Sequence, residues 1–229
     1  MMAVVAREKL AALPLPDLAL RSQADRLAAT LRSAIEVLTK VDHPIFGPTY
    51  ADEVDGPGHH LLIDNANLPT LLAMPYLGYC HADDPLYQAT RAFKLSAENP
   101  FYFKGKAASG IGSPPTPDQY VWPIALYMQG LTSTLRSEQL ALWATLMAVD
   151  DAMGLMHEGF HKDDPTRYTR PWFSWTNALF AEFVLEQCRE QTIGLLHLRT
   201  SPIVLPQLRG AAAPAHTSSV PITGTFQGD

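Results

Sequence analysis

The sequence is poor in several features by which whole classes of protein are recognised. It has two cysteines, Cys80 and Cys188, and these have neither the number nor the spacing of a disulfide framework or a zinc knuckle. We interpret both as small, buried apolar residues. No run of Lys and Arg stands out, and the net charge is −6. This argues against nucleic-acid binding, because phosphates are bound by clustered positive charge, and against a basic membrane-binding surface.

Long apolar segments are also missing from the sequence. No run approaches the ~18 residues that predict a membrane span. The N-terminal segment is interrupted by Arg7, Glu8 and Lys9, which makes it a poor signal peptide. By default we therefore expect a soluble, cytoplasmic chain. With 229 residues, of which 47% are hydrophobic and 17% are charged, one globular domain is expected.

What the sequence does contain is helical periodicity. Leu27, Leu31, Ile35 and Leu38 recur at i, i+4, i+8 and i+11, which is the spacing of an amphipathic helix. Helices are predicted over residues 23–40, 84–96, 120–133, 137–153 and 172–196.

One more helix is expected to begin near Pro69, with Asn67 as its N-cap. Proline is common in the first turn of a helix, and asparagine is a good cap. No stretch alternates cleanly over several β-branched residues, so the predicted fold class is all-α.

Three long connections separate the predicted helices: residues 41–66, 97–119 and 154–170. Each is rich in aromatic, His and acidic residues, and loops of this length are uncommon in compact domains unless they carry a function. We therefore expect the three loops to form one site on a helical domain over residues 1–200. The tail over residues 201–229 is rich in Pro, Ala, Ser, Thr and Gly, and is expected to be disordered or loosely packed.

The third loop contains His157-Glu158-Gly159-Phe160-His161, which matches the H-E-x-x-H pattern of zinc hydrolases. That chemistry requires both histidines on one face of a helix, one turn apart. The glycines and the Asp-Asp-Pro sequence that follows disfavour a helix, so no bound metal is expected. Two other interpretations remain: a loop whose histidines only make hydrogen bonds, and a loop that presents Glu158 as a catalytic carboxylate.

The aromatic neighbours of Glu158 favour a catalytic carboxylate in a sugar site. Phe160, Trp172, Phe173 and Trp175 follow it closely in the sequence. Aromatic planes pack against the C–H faces of sugar rings. A glycosidase needs two carboxyl groups, one to protonate the leaving oxygen and one to activate water or attack carbon. The pattern therefore indicates glycoside hydrolysis, with a second carboxylate still to be identified.

Four blocks of sequence point to a particular family of glycosidases. They are EVDG (53–56) leading to IDNANLPTLLAMPYLGY (63–79), NPFYFKGKAASGIGSPPTP running into YVWPIALYMQGLTS (99–133), MHEGFHKDD (156–164) and YTRPWFSWTNALFAE (168–182). In order and spacing these blocks resemble glycoside hydrolase family 125, exo-acting α-1,6-mannosidases that need no metal. The resemblance covers about residues 50–185.

The resemblance implies an (α/α)₆ toroid with the sugar site in a pocket at one end. Because the family is roughly twice as long, this chain corresponds to the C-terminal half of such a toroid. The implied reaction is inverting hydrolysis of a terminal α-1,6-linked mannose, without a cofactor, with Glu158 as the general base. The residues expected to line the sugar pocket are Asp64, Asn67, Trp122, Arg170 and Trp172.

The sequence departs from the family in three places. The family's general acid is an Asp well before the EVDG block, and Asp17, Asp25 and Asp42 stand in the wrong context, so no acid is found in this chain. The family's DDAN reads DNAN at 64–67, and its SPHT reads SPPT at 113–116. The alternative hypothesis is therefore a truncated or degenerate member with impaired catalysis, and a zinc-dependent hydrolase acting through HEGFH is the third.

Overall fold

Helices make up most of the regular structure in the computed structural model, which describes residues 1–150 and 154–197. They are α1 (Met2–Ala12), α2 (Leu18–Leu38), α3 (Met74–Leu77), α4 (Pro85–Lys94), α5 (Pro123–Leu131), α6 (Arg136–Ala148) and α7 (Ser174–His197), with a 3-10 turn over Leu71–Ala73. Every helix predicted from the periodicity is present. Helix α5 begins later than expected, because Tyr120 and Val121 form a strand. The predicted end of α6, at residue 153, lies outside the described residues.

The predicted all-α class needs correction, because short strands lie between the helices. They are β1 (Lys40–His43), β2 (Gly47–Tyr50), β3 (Glu53–Val54), β4 (His60–Leu61), β5 (Tyr102–Phe103), β6 (Gly110–Ile111), β7 (Tyr120–Val121), β8 (Gly159–His161) and β9 (Asp164–Thr169). β1 pairs with β2, β3 with β4 and β5 with β6, while β7, β8 and β9 form a three-stranded antiparallel sheet. Six of these strands have only two or three residues, which is too short for alternation to reveal them in a sequence.

Helix α1 was not predicted from the sequence, and it packs against α2. Its Val4 and Val5 are buried there, and its Glu8 accepts a hydrogen bond from Arg32 of α2 at 2.9 Å. Helix α2 begins at Asp17, whose carboxylate accepts a hydrogen bond from the backbone N–H of Leu20 at 2.9 Å. Such a cap satisfies a backbone donor that has no partner within the helix.

The main hydrophobic core surrounds α5. Seven of the nine residues of this helix are buried, as expected for a helix that is apolar on all sides. Its Tyr127 packs against Phe180 and Phe183 of α7, with ring centroids 5.9 and 5.8 Å apart. Helix α6 also packs against α5. These packed helices give an α/α-type fold.

Two local predictions are wrong. Asn67 does not cap a helix, because Thr70 is the cap and accepts a hydrogen bond from the Ala73 N–H at 3.2 Å. Cys188 is exposed and Cys80 is only half-buried, so they are not the buried pair expected.

The predicted tail over residues 201–229 lies outside the described residues. Within the part of the chain that the structure describes, no helix combines the length and apolar character required to cross a bilayer.

Candidate active site

Glu158 lies at the start of β8, the central strand of the three-stranded sheet. Its backbone N–H donates to the carbonyls of Thr169 and Arg170 at 3.2 and 3.3 Å, which ties it to the end of β9. The register places Gly159 opposite Thr169. The Glu158 side chain is 12% exposed, so it is largely buried while part of it still reaches the surface.

Arg170 is the charged neighbour of this carboxylate. Its Nε lies 3.4 Å from Glu158 Oε1, and its guanidinium carbon lies 5.4 Å from the centre of the Phe173 ring. Its backbone has a φ of 44°, the left-handed conformation that L-residues other than glycine rarely adopt. The Arg170 side chain is 64% exposed. The ion pair is therefore buried on the Glu158 side and exposed to solvent on the Arg170 side.

The two histidines of the HEGFH motif do not lie one turn apart on a helix, since Gly159–His161 is a strand. Nδ1 of His157 lies 2.9 Å from the carbonyl oxygen of Pro171, and Nδ1 of His161 accepts from the Asp163 N–H at 3.3 Å. In the described residues no three His, Cys, Asp or Glu side chains are grouped so as to hold a metal ion. The zinc hydrolase hypothesis thus lacks the helical geometry on which it depends.

Trp122 forms the wall behind Glu158. A Cβ at the neighbouring Gly159 would lie 2.9 Å from Trp122 Cδ1, so only glycine allows the strand to approach the indole so closely. The indole N–H donates to Thr116 Oγ1 at 2.9 Å, and its ring meets Phe173 edge-on with centroids 6.1 Å apart. Trp122 is only 3% exposed, so it supports the site from the protein interior.

Asn67 is joined to the same wall through the loop before β7. Its side-chain amide donates to Ser113 Oγ at 2.6 Å and to Asn65 Oδ1 at 2.9 Å. The hydroxyl of Thr116 in turn donates to the Ser113 carbonyl at 2.9 Å. A hydrogen-bonded path therefore runs from Asn67 through Ser113 and Thr116 to Trp122.

Asp64 has a different placement from the one expected of a pocket residue. Its side chain is buried, with the residue 1% exposed, and Oδ2 accepts from the Leu72 N–H at 3.4 Å. Its backbone N–H donates to Asn99 Oδ1 at 3.2 Å. Burial raises the pKa of the Asp64 carboxyl to about 7, although the nearby Lys94 ammonium opposes the change. Asp64 is connected to the other site residues through the chain segment 64–67, in which Asn67 makes the contact with Ser113.

Lys94, which the sequence reasoning missed, completes this buried group. It is 0% exposed, and its ammonium donates to the Ile63 carbonyl at 2.7 Å. Burial lowers the pKa of Lys94 to about 8, while Asp64 and Asp52 oppose the change. Nothing in the sequence analysis singled it out, because its burial depends on the tertiary packing of α4 against the 63–64 segment.

The structure therefore brings together Glu158, Arg170 and Trp122, and links Asn67 to them. Trp172 follows directly after Pro171, and 58% of it is exposed. Ser113 and Thr116 were not expected to contribute contacts of their own. Their position inside one of the four sequence blocks was the available signal.

The chain is similar to known proteins over most of its length. Residues 1–185 match the protein family described as metal-independent alpha-mannosidase (GH125). The meiotically up-regulated gene 157 protein of Schizosaccharomyces pombe is 50% identical over 147 residues, which are 64% of this chain and 29% of that protein.

Two solved structures are similar in fold. A Streptococcus pneumoniae protein of a family of metal-independent alpha mannosidases, solved as a non-productive substrate complex with alpha-1,6-mannobiose, is 46% identical with a TM-score of 0.76. The match covers 80% of this chain and 44% of that one. A bacterial glucoamylase solved with acarbose is 17% identical, with a TM-score of 0.59 over 80% of this chain and 32% of its own, and shows likeness of fold alone.

The chain spans less than half the length of each of these three proteins. The family match nevertheless covers residues 1–185, and so includes Glu158, Arg170 and every other residue of the site. This chain belongs to the metal-independent α-mannosidase family GH125, a family of glycoside hydrolases.

Proposed function

We propose that this chain provides the catalytic base and part of the sugar pocket of an inverting exo-α-1,6-mannosidase. In this reaction Glu158 takes a proton from a water molecule as that water attacks the anomeric carbon of a terminal mannose. An acid protonates the leaving oxygen at the opposite face. Family membership gives the mannosidase type of glycoside hydrolase, and the linkage and the stereochemical course are what we add to it.

The observation that carries the proposal is the ion pair between Glu158 and Arg170, which is buried on one side and exposed to solvent on the other. The backbone of Glu158 is held by the hydrogen bonds of its N–H to the Thr169 and Arg170 carbonyls, and its carboxylate lies 3.4 Å from the Arg170 guanidinium. A general base must be held in one orientation and must still reach a water molecule. A carboxylate buried on one side and open on the other meets both requirements.

A neutral sugar suits the surroundings of this carboxylate. Trp172 offers an exposed aromatic face, and Trp122 gives the site a rigid apolar wall. Asn67, Asp64 and Arg170 are the polar residues that we propose contribute to the sugar pocket, with Asp64 acting through the loop that it anchors. The pneumococcal relative was solved with alpha-1,6-mannobiose, and we extend that ligand class to this chain.

None of the three aspartates well before the EVDG segment is assigned as the acid in this proposal. Asp17 caps α2, and Asp25 and Asp42 are exposed. An aryl leaving group departs with little protonation, whereas a sugar alkoxide needs it. The 229-residue chain alone is therefore expected to hydrolyse an activated aryl α-mannoside far better than α-1,6-mannobiose.

The experiment compares the two substrates with wild type, Glu158→Gln and Glu98→Gln. Glu98 is an exposed carboxylate in another loop and serves as the matched control. We expect Glu158→Gln to lose aryl mannoside turnover by about 100-fold or more, because base catalysis is worth ~10²–10⁴-fold. Proton NMR of the first-formed product should show β-mannose, the anomer that inversion produces. Retained turnover in Glu158→Gln, or α-mannose as the first product, would contradict the proposal.

A second candidate function is mannoside binding with impaired cleavage. It is favoured by Asn65, which stands where the family has an aspartate and whose Oδ1 accepts from the backbone and side-chain amides of Asn67 at 2.9 Å each. The Asn67 side-chain amide is therefore hydrogen-bonded within its own loop, and this bond competes with a bond to a sugar. Binding of methyl α-mannoside in a titration, with no turnover even of the aryl substrate, is the result that would select this function.

A further inference from the structure

His157 is a buried imidazole beside the proposed base, and the proposed reaction gives it no role. Its ring stacks on the Tyr168 ring with centroids 3.8 Å apart and planes 5° from parallel. The residue is almost completely buried. It belongs to the HEGFH motif, whose zinc-binding interpretation the strand conformation does not support.

The hydrogen bonds of His157 fix which ring nitrogen carries the proton. Nδ1 lies 2.9 Å from the carbonyl oxygen of Pro171. A carbonyl oxygen only accepts hydrogen bonds, so Nδ1 must donate and carries a proton. Nε2 is buried and has no partner in the described part of the chain, so a proton there would be an unsatisfied donor. The ring is therefore assigned as the neutral Nδ1–H tautomer.

This bond is one of three that hold the backbone around Arg170, over residues 169–171. We call these three hydrogen bonds the clamp. On one side of the turn the Glu158 N–H donates to the carbonyls of Thr169 and Arg170. On the other side His157 donates to the carbonyl of Pro171. Arg170 itself has a φ of 44°, a conformation that persists in a non-glycine residue only where its surroundings enforce it.

We propose that His157 is a positioning residue, whose bond to the Pro171 carbonyl holds the left-handed backbone of Arg170 and so directs its guanidinium at Glu158. Without this bond the Pro171 carbonyl rotates freely and Arg170 relaxes to a negative φ. The guanidinium then leaves both Glu158 and the Phe173 ring. The consequence for catalysis rests on the proposed function, but the geometric effect does not.

Three variants separate the hydrogen bond from the packing of the ring. His157→Phe keeps an aromatic ring to stack on Tyr168 and removes the donor. His157→Asn places an amide N–H where Nδ1 stood, since both nitrogens are bonded to Cγ, and restores the donor without the stacked ring. His161→Phe is the control, because His161 belongs to the same HEGFH motif, lies on β8 and contacts Tyr120 rather than Pro171.

The first readout is independent of catalysis. In wild type, NMR should show the Nδ1–H tautomer of His157 and NOEs between Arg170 Hε and the Phe173 ring. We expect those NOEs to disappear in His157→Phe and to persist in His157→Asn and His161→Phe. An Nε2–H tautomer in wild type, or Arg170 NOEs that persist in His157→Phe, would overturn the proposal.

The second readout is turnover of the aryl α-mannoside in a double-mutant cycle with Arg170→Met. His157→Phe should lower turnover by about 10-fold in wild type and by less than about 2-fold in Arg170→Met, because a residue that acts through Arg170 loses its effect once Arg170 is gone. Equal losses in both backgrounds indicate a general structural role and refute the positioning role. If wild type neither binds nor cleaves mannosides but the NMR results hold, the proposed function fails and the positioning role stands.

Discussion

Asp64 and Glu158 each have a cation nearby, but the two carboxylates lie in opposite environments. Asp64 and Lys94 are both buried, at 1% and 0% exposure. In the other pair the Glu158 side chain is 12% exposed and that of Arg170 is 64% exposed. The first pair lies beside the segment that carries Asn67, whereas the second has a side that is open to solvent.

The electrostatics of the buried pair show what burial costs. Burial raises the pKa of Asp64 to about 7 and lowers that of Lys94 to about 8, so each charged form is disfavoured. The attraction between the two groups acts in the other direction on both, and it is the smaller effect. Such a pair is expected to fix the architecture, because its removal leaves a charge or a dipole without a partner.

The largest effect is expected from Lys94→Met. At pH 8 it removes the cation that stabilises the Asp64 carboxylate and leaves the Ile63 carbonyl without its donor. Removing one member of a buried pair typically costs about 3–5 kcal/mol, and we expect a loss of that order in the free energy of unfolding. The measurement is denaturant unfolding of both proteins at pH 8.

The control for this variant is Lys40→Met. Lys40 forms an ion pair with Glu36, but its side chain is 42% exposed, so its loss should cost less than about 1 kcal/mol. Equal losses in the two variants would mean that the environment of Lys94 is not as dry as its burial indicates.

The next largest effect concerns the pH dependence of Asp64→Asn. The carboxyl has a pKa of about 7 in the folded state against an ordinary value of 3.8. Between these values the folded chain holds a proton that the unfolded chain has released. Wild-type stability should therefore fall as pH rises from about 4 to 7, by at most about 1.4 kcal/mol per pH unit.

Asp64→Asn has no carboxyl group to bind this proton. Its free energy of unfolding should therefore lack the fall with pH that the Asp64 carboxyl causes between about pH 4 and 7. The measurement is the difference in unfolding free energy between wild type and Asp64→Asn at several pH values, which cancels the titration of groups common to both. A difference that is constant from pH 4 to 7, or that favours wild type more as pH rises, would show that Asp64 is ionised throughout.

The same comparison shows what a sequence can and cannot reveal about the site. Glu158 and Arg170 could be assigned to one site because their sequence blocks are distinctive, and the structure places them 3.4 Å apart. The burial of Asp64 could not be predicted in this way, because it depends on how α4 packs. Lys94 was not identified from the sequence at all. Its burial follows from contacts with residues about thirty positions away along the chain.

The elements of the fold also differ in how well the sequence predicts them. Helix α2 was predictable because its apolar periodicity is a local signal, and α4 because Pro85 marks its first turn. Helix α1 was missed because it buries only Val4 and Val5, too few residues to give a stripe. The short strands are defined by their partners, as when β8 pairs with both β7 and β9, and no local pattern in two or three residues reveals a partner.

The smallest effect on stability is expected from Arg170→Met, in the open pair. The guanidinium is mostly in water, where an ion pair gains little over solvation, so the free energy of unfolding should change by less than about 1 kcal/mol. Arg189→Met is a suitable control, because Arg189 pairs with Glu186 at the same 3.4 Å and its side chain is 74% exposed.

The two arginine variants should therefore be indistinguishable in denaturant unfolding but different in function. Only Arg170 contacts the proposed base, and a charge-assisted contact in a site typically contributes about 10-fold or more to turnover. Aryl mannoside turnover should accordingly fall in Arg170→Met and remain unchanged in Arg189→Met. If Arg170→Met instead destabilised the chain as strongly as Lys94→Met, the pair would be part of the architecture. The contrast between a structural and a reactive carboxylate would then be wrong.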